Sequence, residues 1–220
     1  MRKSYIVIGL GRFGSAVAEE LMEIGNEVLA IDENEEKVGS IADRVTHSMV
    51  CDAKDEEVMR SIGVRNFDCA IVGIGGNIED SVLVTLLLKD MGMKTVICKA
   101  KNENHKRVLE RVGADRVLIP ERDMGKRLAQ TMSNASMIDY IELSEDYSII
   151  ECSAPSDWAG KSIGTLNIRA RYGITVLAAH NRNRTLFTAS PSAEYIIDKG
   201  DILVLIGKDD DLTSVTDGKA

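Results

Sequence analysis

Tyr5-Ile-Val-Ile-Gly-Leu-Gly-Arg-Phe-Gly14 is the stretch that decides the fold. Four β-prone residues run into Gly9-x-Gly11-x-x-Gly14, and a helical pattern follows from Ser15. A dinucleotide fingerprint belongs at such a junction, where a strand ends and a helix opens. Gly9 permits the tight turn, Gly11 lets a pyrophosphate approach the backbone, and Gly14 lets the helix pack closely on its strand. The helix start adds unpaired N–H groups and a partial positive charge suited to phosphate. Arg12 places a cation beside that position.

Outward from this loop the same unit repeats. β-rich runs at 5–8, 27–31, 47–51, 69–74, 94–99 and 116–119 alternate with helix-period segments at 15–24, 35–42, 56–62, 77–91 and 103–112. The strands are continuous apolar runs, as in a parallel sheet covered on both faces. Gly25, Gly63, Gly92 and Gly113 each follow a helical segment, where a left-handed residue ends a helix. Residues 1–120 therefore form an α/β domain, a Rossmann-like doubly wound parallel sheet of six strands. Residues 121–136 form one helix with Met124, Leu128 and Met132 on a stripe; it either packs on its own sheet or serves as a crossover or dimer-forming helix. From 137 to 220 the pattern is short strands and turns, at 138–143, 148–153, 174–180, 185–189 and 202–206. A small α+β domain fits, ending in a short helix that starts at Lys208-Asp-Asp-Asp-Leu.

Composition narrows the function. The net charge is −8, from 27 basic and 35 acidic residues, and only 4% of residues are aromatic. Both facts argue against a nucleic-acid polymer as partner. Cys51, Cys69, Cys98 and Cys152 form no Cys-x-x-Cys pair and no cluster with histidine, so zinc or redox work is not expected. They read as buried, reduced thiols, which suits the cytosol. The start of the chain has no signal-type apolar region, and no apolar run approaches the ~20 residues that cross a bilayer. A soluble, cytoplasmic protein is expected.

Asp32 ends the second strand, 21 residues beyond Gly11. An acid at about that distance accepts hydrogen bonds from ribose hydroxyls, and it would repel a 2′-phosphate, disfavouring NADP. Asp52 follows the third strand, where an adenine or ribose edge would lie. Gly73-Ile-Gly-Gly76 closes the fourth strand on the same sheet edge, either approaching a ligand or making a simple turn. A hydride-transfer enzyme also needs an acid/base group and a substrate anchor. His47, His105 and His180 fall in a strand start, a surface helix and a hairpin, and no Tyr-x-x-x-Lys pair follows the fourth strand. The residues describe a binding domain without catalysis. NAD(H) and an adenine mononucleotide both fit it, so an NAD(H) sensor or dehydrogenase stays open beside a regulatory module, as does a structural subunit with a fixed nucleotide.

Further motifs carry a resemblance: Ile8-Gly-Leu-Gly-Arg-Phe-Gly-Ser15, Asp32 with Asn34, Arg65-Asn-Phe-Asp68, the run from Gly113 through Pro120-Glu-Arg-Asp-Met-Gly125, and Asn167-Ile-Arg-Ala-Arg-Tyr-Gly173. Over nearly its whole length the chain resembles the Ktr/Trk-type RCK proteins, regulators of K⁺ conductance. The resemblance implies an N-terminal and a C-terminal RCK domain. It implies homodimers assembled into an octameric ring, at the cell membrane only through a membrane K⁺-conducting subunit. Exchange of ATP for ADP would change the ring shape and gate the pore. By the same resemblance Gly9, Gly11, Arg12, Phe13, Gly14, Asp32, Asn34, Asp52 and Gly73 form the nucleotide site, and Lys99 offsets phosphate charge. Arg12 would reach a γ-phosphate, bound across the dimer interface. Glu121 matches a carboxylate that helps hold Mg²⁺ or Ca²⁺ near the nucleotide. Ile163, Asn167, Ile168, Arg169, Ile174 and Pro191 match positions that bind cyclic di-AMP in a dimer cleft.

Overall fold

A computed structural model describes residues 2–217. Strands β1 (Ser4–Ile8), β2 (Glu27–Asp32), β3 (His47–Val50), β4 (Cys69–Val72), β5 (Val96–Lys99) and β6 (Arg116–Leu118) alternate with helices α1 (Arg12–Glu23), α2 (Glu35–Ile41), α3 (Glu56–Ile62), α4 (Ile78–Asp90) and α5 (Glu103–Arg111). The strands are all parallel, in the order β3-β2-β1-β4-β5-β6. Strand order reverses between β1 and β4, which makes their carboxyl ends the place for a ligand crevice.

Alternation along the strands builds a core on each face of this sheet. Ile6 and Ile8 join Ala70, Val72, Val96 and Cys98 on one side. Val7 joins Val28, Ala30 and Ile71 on the other. All four residues of β4 are buried, as a central strand requires. Side chains cap four of the five helices: Asn34, Asp55, Asn77 and Asn102 accept first-turn N–H bonds at α2, α3, α4 and α5. Helix α1 starts at Gly11 with no side-chain cap. Among the described residues no side chain takes its first-turn N–H groups.

The remainder, 121–220, is a second compact unit. Helix α6 (Pro120–Ser133) leads into β7 (Met137–Glu142) and β8 (Tyr147–Ser153). Helices α7 (Ile163–Leu166) and α8 (Ile168–Tyr172) follow, then β9 (Thr175–His180), β10 (Phe187–Ala189), β11 (Ile202–Lys208) and α9 (Asp209–Thr216). The antiparallel order is β10-β9-β11-β8-β7. Trp158, Ile150, Ile174, Leu203 and Leu205 centre its core.

Two features depart from the sequence expectations. Helices α7 and α8 stand where only strands and turns are expected; at four and five residues they are too short to show a helical period. The strand expected from 185 starts at Phe187, because the Asn181 side chain takes the N–H groups of Thr185 and Leu186 into a turn. Although α5 is a surface helix, His105 is buried: it is 2% exposed, with Nδ1 accepting from the Lys101 N–H, because it lies on the inner face beside Leu109. The α6 stripe also has an answer. Met124, Leu128 and Met132 are exposed, so the helix does not bury them on its own sheet. Polar pairs attach it to β7 instead, with Arg127 Nε 2.8 Å from Asp139 Oδ1.

Candidate functional site

At the switch point a cavity of about 340 Å³ opens above the carboxyl ends of β1, β2, β3 and β4. Gly9, Gly11, Asp32, Asp52 and Gly73 all line it. Gly9 holds φ +91, a conformation that side-chain-bearing residues rarely adopt, and a Cβ there would lie 2.9 Å from the Ile74 nitrogen. A Cβ on Gly14 would lie 2.0 Å from the Gly9 carbonyl oxygen, so α1 can approach the loop only with glycine there. Nothing lies within 4 Å of the Cβ position at Gly11, which leaves the backbone open to a ligand. Gly73 lines the cavity and also has a steric job. Its Cβ position is 2.7 Å from the Gly9 oxygen, so it accommodates the loop of the neighbouring strand.

Asp32 is buried at the back of this cavity. Its Oδ2 accepts from the Leu10 N–H at 2.7 Å and its Oδ1 from the Asn34 N–H at 2.9 Å. Lys37 Nζ donates to both oxygens, at 3.2 and 3.1 Å. Burial alone would raise the Asp32 carboxyl, but bonds from Asn34, Leu10 and Lys37 outweigh it and hold the carboxyl below its ordinary value. Asp52 is exposed at the mouth, where its Oδ1 accepts from the Lys54 N–H. Lys54 Nζ lies 2.8 Å from Asp80 Oδ1, and Asn77 Nδ2 donates to Asp80 Oδ2 at 2.9 Å. The loop after β3 is thereby tied to the start of α4 along the cavity wall. Asp80 is the main group that raises the Lys54 ammonium. Burial, with Asp52 and Asp55 adding to it, raises the Cys51 thiol in the same wall.

Other expected residues stand off the lining. Arg12 and Phe13 occupy the first turn of α1, and Arg12 is exposed with no hydrogen bond or ion pair among the described residues. Asn34 caps α2 and acts on the cavity through Asp32. Lys99 extends from the end of β5, its Nζ 3.5 Å from the Cβ position of Gly75 and 6.0 Å from the Phe13 ring centre. Lys37, Lys54 and Asp80 are functional candidates that sequence reasoning missed. Their signal was faint: Lys37 lies one helical turn after Asp32 and its cap, and the Lys54–Asp80 pair spans 26 residues.

The TrkA-N domain family matches residues 5–120, and the TrkA-C domain family matches 148–217. The chain is 45% identical to the Ktr system potassium uptake protein A of Bacillus subtilis (strain 168), covering 96% of this chain and 94% of that protein. It belongs to the KtrA-type RCK family. Ktr system potassium uptake protein C of the same organism is 43% identical, over 97% of this chain and 96% of that one. Among solved structures, the GsuK channel bound to NAD has the same fold at TM-score 0.68 and 18% identity; the match covers 98% of this chain but 39% of that longer one.

Two further sets of expected residues lie outside this cavity. Glu121 sits exposed in the first turn of α6. No group of three or more potential metal ligands stands together among the described residues. In the second unit, Asn167 at φ +48 joins α7 to α8, placing Arg169 exposed in the next turn with Ile163 and Pro191 half-buried. Ile168 and Ile174 lie deeper. They are 3% and 0% exposed, enclosed in the core of their own unit, and so support this region from beneath.

Proposed function

We propose that this KtrA-type chain is a cytoplasmic regulatory subunit of a K⁺ uptake system, switched by exchange of ATP for ADP in the β1–β4 cavity. The observation that carries the reading is the start of α1. It has no side-chain cap, an open backbone at Gly11, and in its first turn a guanidinium without a partner among the described residues. Unpaired helix N–H groups and an arginine fork both recognise phosphate. Arg12, exposed beside the glycine loop, meets the outermost phosphate in this reading, from its own or a paired subunit. A γ-phosphate that gains this contact, and a diphosphate that does not, favour different arrangements of the assembly. Lys99 and Glu121 contribute charge and a divalent ion to the same phosphates.

The assembly is a homodimer built into an octameric ring on a membrane K⁺-conducting subunit. The exposed Met124–Leu128–Met132 stripe of α6 supports a partner helix there. Among the described residues no helix is long and apolar enough to cross a membrane, so conduction is assigned to the partner. Cyclic di-AMP binds the second unit, with Arg169 on phosphate and Ile163 and Pro191 against adenine.

Arg12→Ala tests the switch by calorimetric titration of both nucleotides. ATP affinity should fall by roughly tenfold or more with ADP little changed. Equal loss of both would remove the γ-phosphate role. An NAD(H)-responsive sensor is the second reading, favoured by the GsuK channel of the same fold bound to NAD. Stabilisation by NADH but by neither ATP nor ADP would select it.

A further inference from the structure

Asp32, the acid expected to receive ribose hydroxyls, is not a bare acceptor in this fold. A carboxylate offers about four lone-pair sites. Here the N–H groups of Leu10 and Asn34 take one on each oxygen, and Lys37 Nζ takes the other two. The arrangement is layered. The Asp32 side chain is 5% exposed and the Lys37 side chain 47%, so a ligand entering the cavity meets the ammonium before the carboxylate. Both residues line the cavity. Its other lining cation, Lys54, is held by Asp80 at 2.8 Å. An ammonium has three N–H donors, and Lys37 directs two of them at Asp32.

We propose that Lys37 is a specificity-determining residue of the ribose subsite, and that it admits adenosine nucleotides carrying a phosphate on the 2′-oxygen. An uncompensated Asp32 would exclude such ligands by charge repulsion and by demanding hydroxyl donors. With Lys37 in place, the carboxylate charge is offset within 3.2 Å, and the third ammonium N–H supplies a donor that a 2′-phosphate oxygen accepts. A ribose with free hydroxyls competes with Lys37 for Asp32 and donates to the same oxygens. The subsite therefore takes both forms, where the acid alone would take one. Glu33 and Asp52 also line the cavity and work against a second phosphate, which makes Lys37 the deciding group.

This inference rests on the nucleotide reading of the cavity, and the experiment separates the two. Binding of ADP, ADP-ribose and 2′-phospho-ADP-ribose is measured by calorimetry on the full-length wild type, Lys37→Gln and Lys37→Arg. The last two ligands differ only in the ribose phosphate. Lys37→Gln should widen the preference for ADP-ribose over its 2′-phosphorylated form by about fivefold or more, and Lys37→Arg should keep the wild-type ratio. An unchanged ratio in Lys37→Gln, or an equal loss of both ligands, overturns the role of Lys37 while leaving the nucleotide site intact. Failure of the wild type to bind any of the three overturns both readings. Thermal midpoints without ligand show whether Lys37→Gln stays folded; should it not, loss of the wild-type ratio in Lys37→Met decides the matter.

Discussion

At the scale of single residues, sterics and charge decide what the cavity can hold. Gly14→Ala sets a methyl group 2.0 Å from the Gly9 carbonyl oxygen, a contact that backbone must relieve. The expected loss is about 3 kcal/mol or more, read by urea unfolding of the nucleotide-binding unit, together with nucleotide affinity. Asp32 predicts a pH dependence. Its folded-state carboxyl lies below the ordinary aspartate value, because bonds from Asn34, Leu10 and Lys37 outweigh burial, so folding favours the ionised form. That contribution is complete above the ordinary aspartate range and is lost as pH falls through the lowered folded value. Asp32→Asn should flatten the acid limb of a stability–pH curve in this range. An unchanged limb would mean that Asp32 does not carry the effect. The roles of Gly9, Gly11 and Gly14 follow from sequence position, since each is dictated by the turn itself. The pairing of Lys37 with Asp32 is not legible there, because it depends on which way one flexible side chain lies across a helical turn.

At the scale of elements, what could be read followed the period and length of each segment. The central strand β4 is an uninterrupted apolar run and its neighbours hold apolar stretches, and glycines at positive φ end α3 and follow α1, α4 and α5. Their order and approximate limits were therefore visible in the residues. Helices α7 and α8 were not, since neither completes two turns and a left-handed Asn167 divides them. That residue supplies a test. Asn167→Ala should cost about 1 kcal/mol, and Asn167→Gly should be neutral or stabilising, because glycine takes this conformation without a Cβ penalty. Denaturant midpoints decide. A costless alanine would mean that the junction does not need the left-handed turn.

At the scale of the whole molecule, the chain divides into two units after Pro120, each with a core of its own. Ligands should act on them separately. In differential scanning calorimetry, ADP is expected to raise one transition and cyclic di-AMP the other, by amounts that grow with ligand concentration. A single transition moved equally by both would show that the units unfold as one. The position of Trp158 governs how such experiments can be followed. It is the only tryptophan in 220 residues, and it is wholly buried in the second unit against Tyr172 at 5.3 Å between ring centres. Indole emission will therefore report unfolding of that unit and pass silently over the glycine loop. A fluorescence melt that shows no response to nucleotide would describe the location of the fluorophore, not an empty cavity.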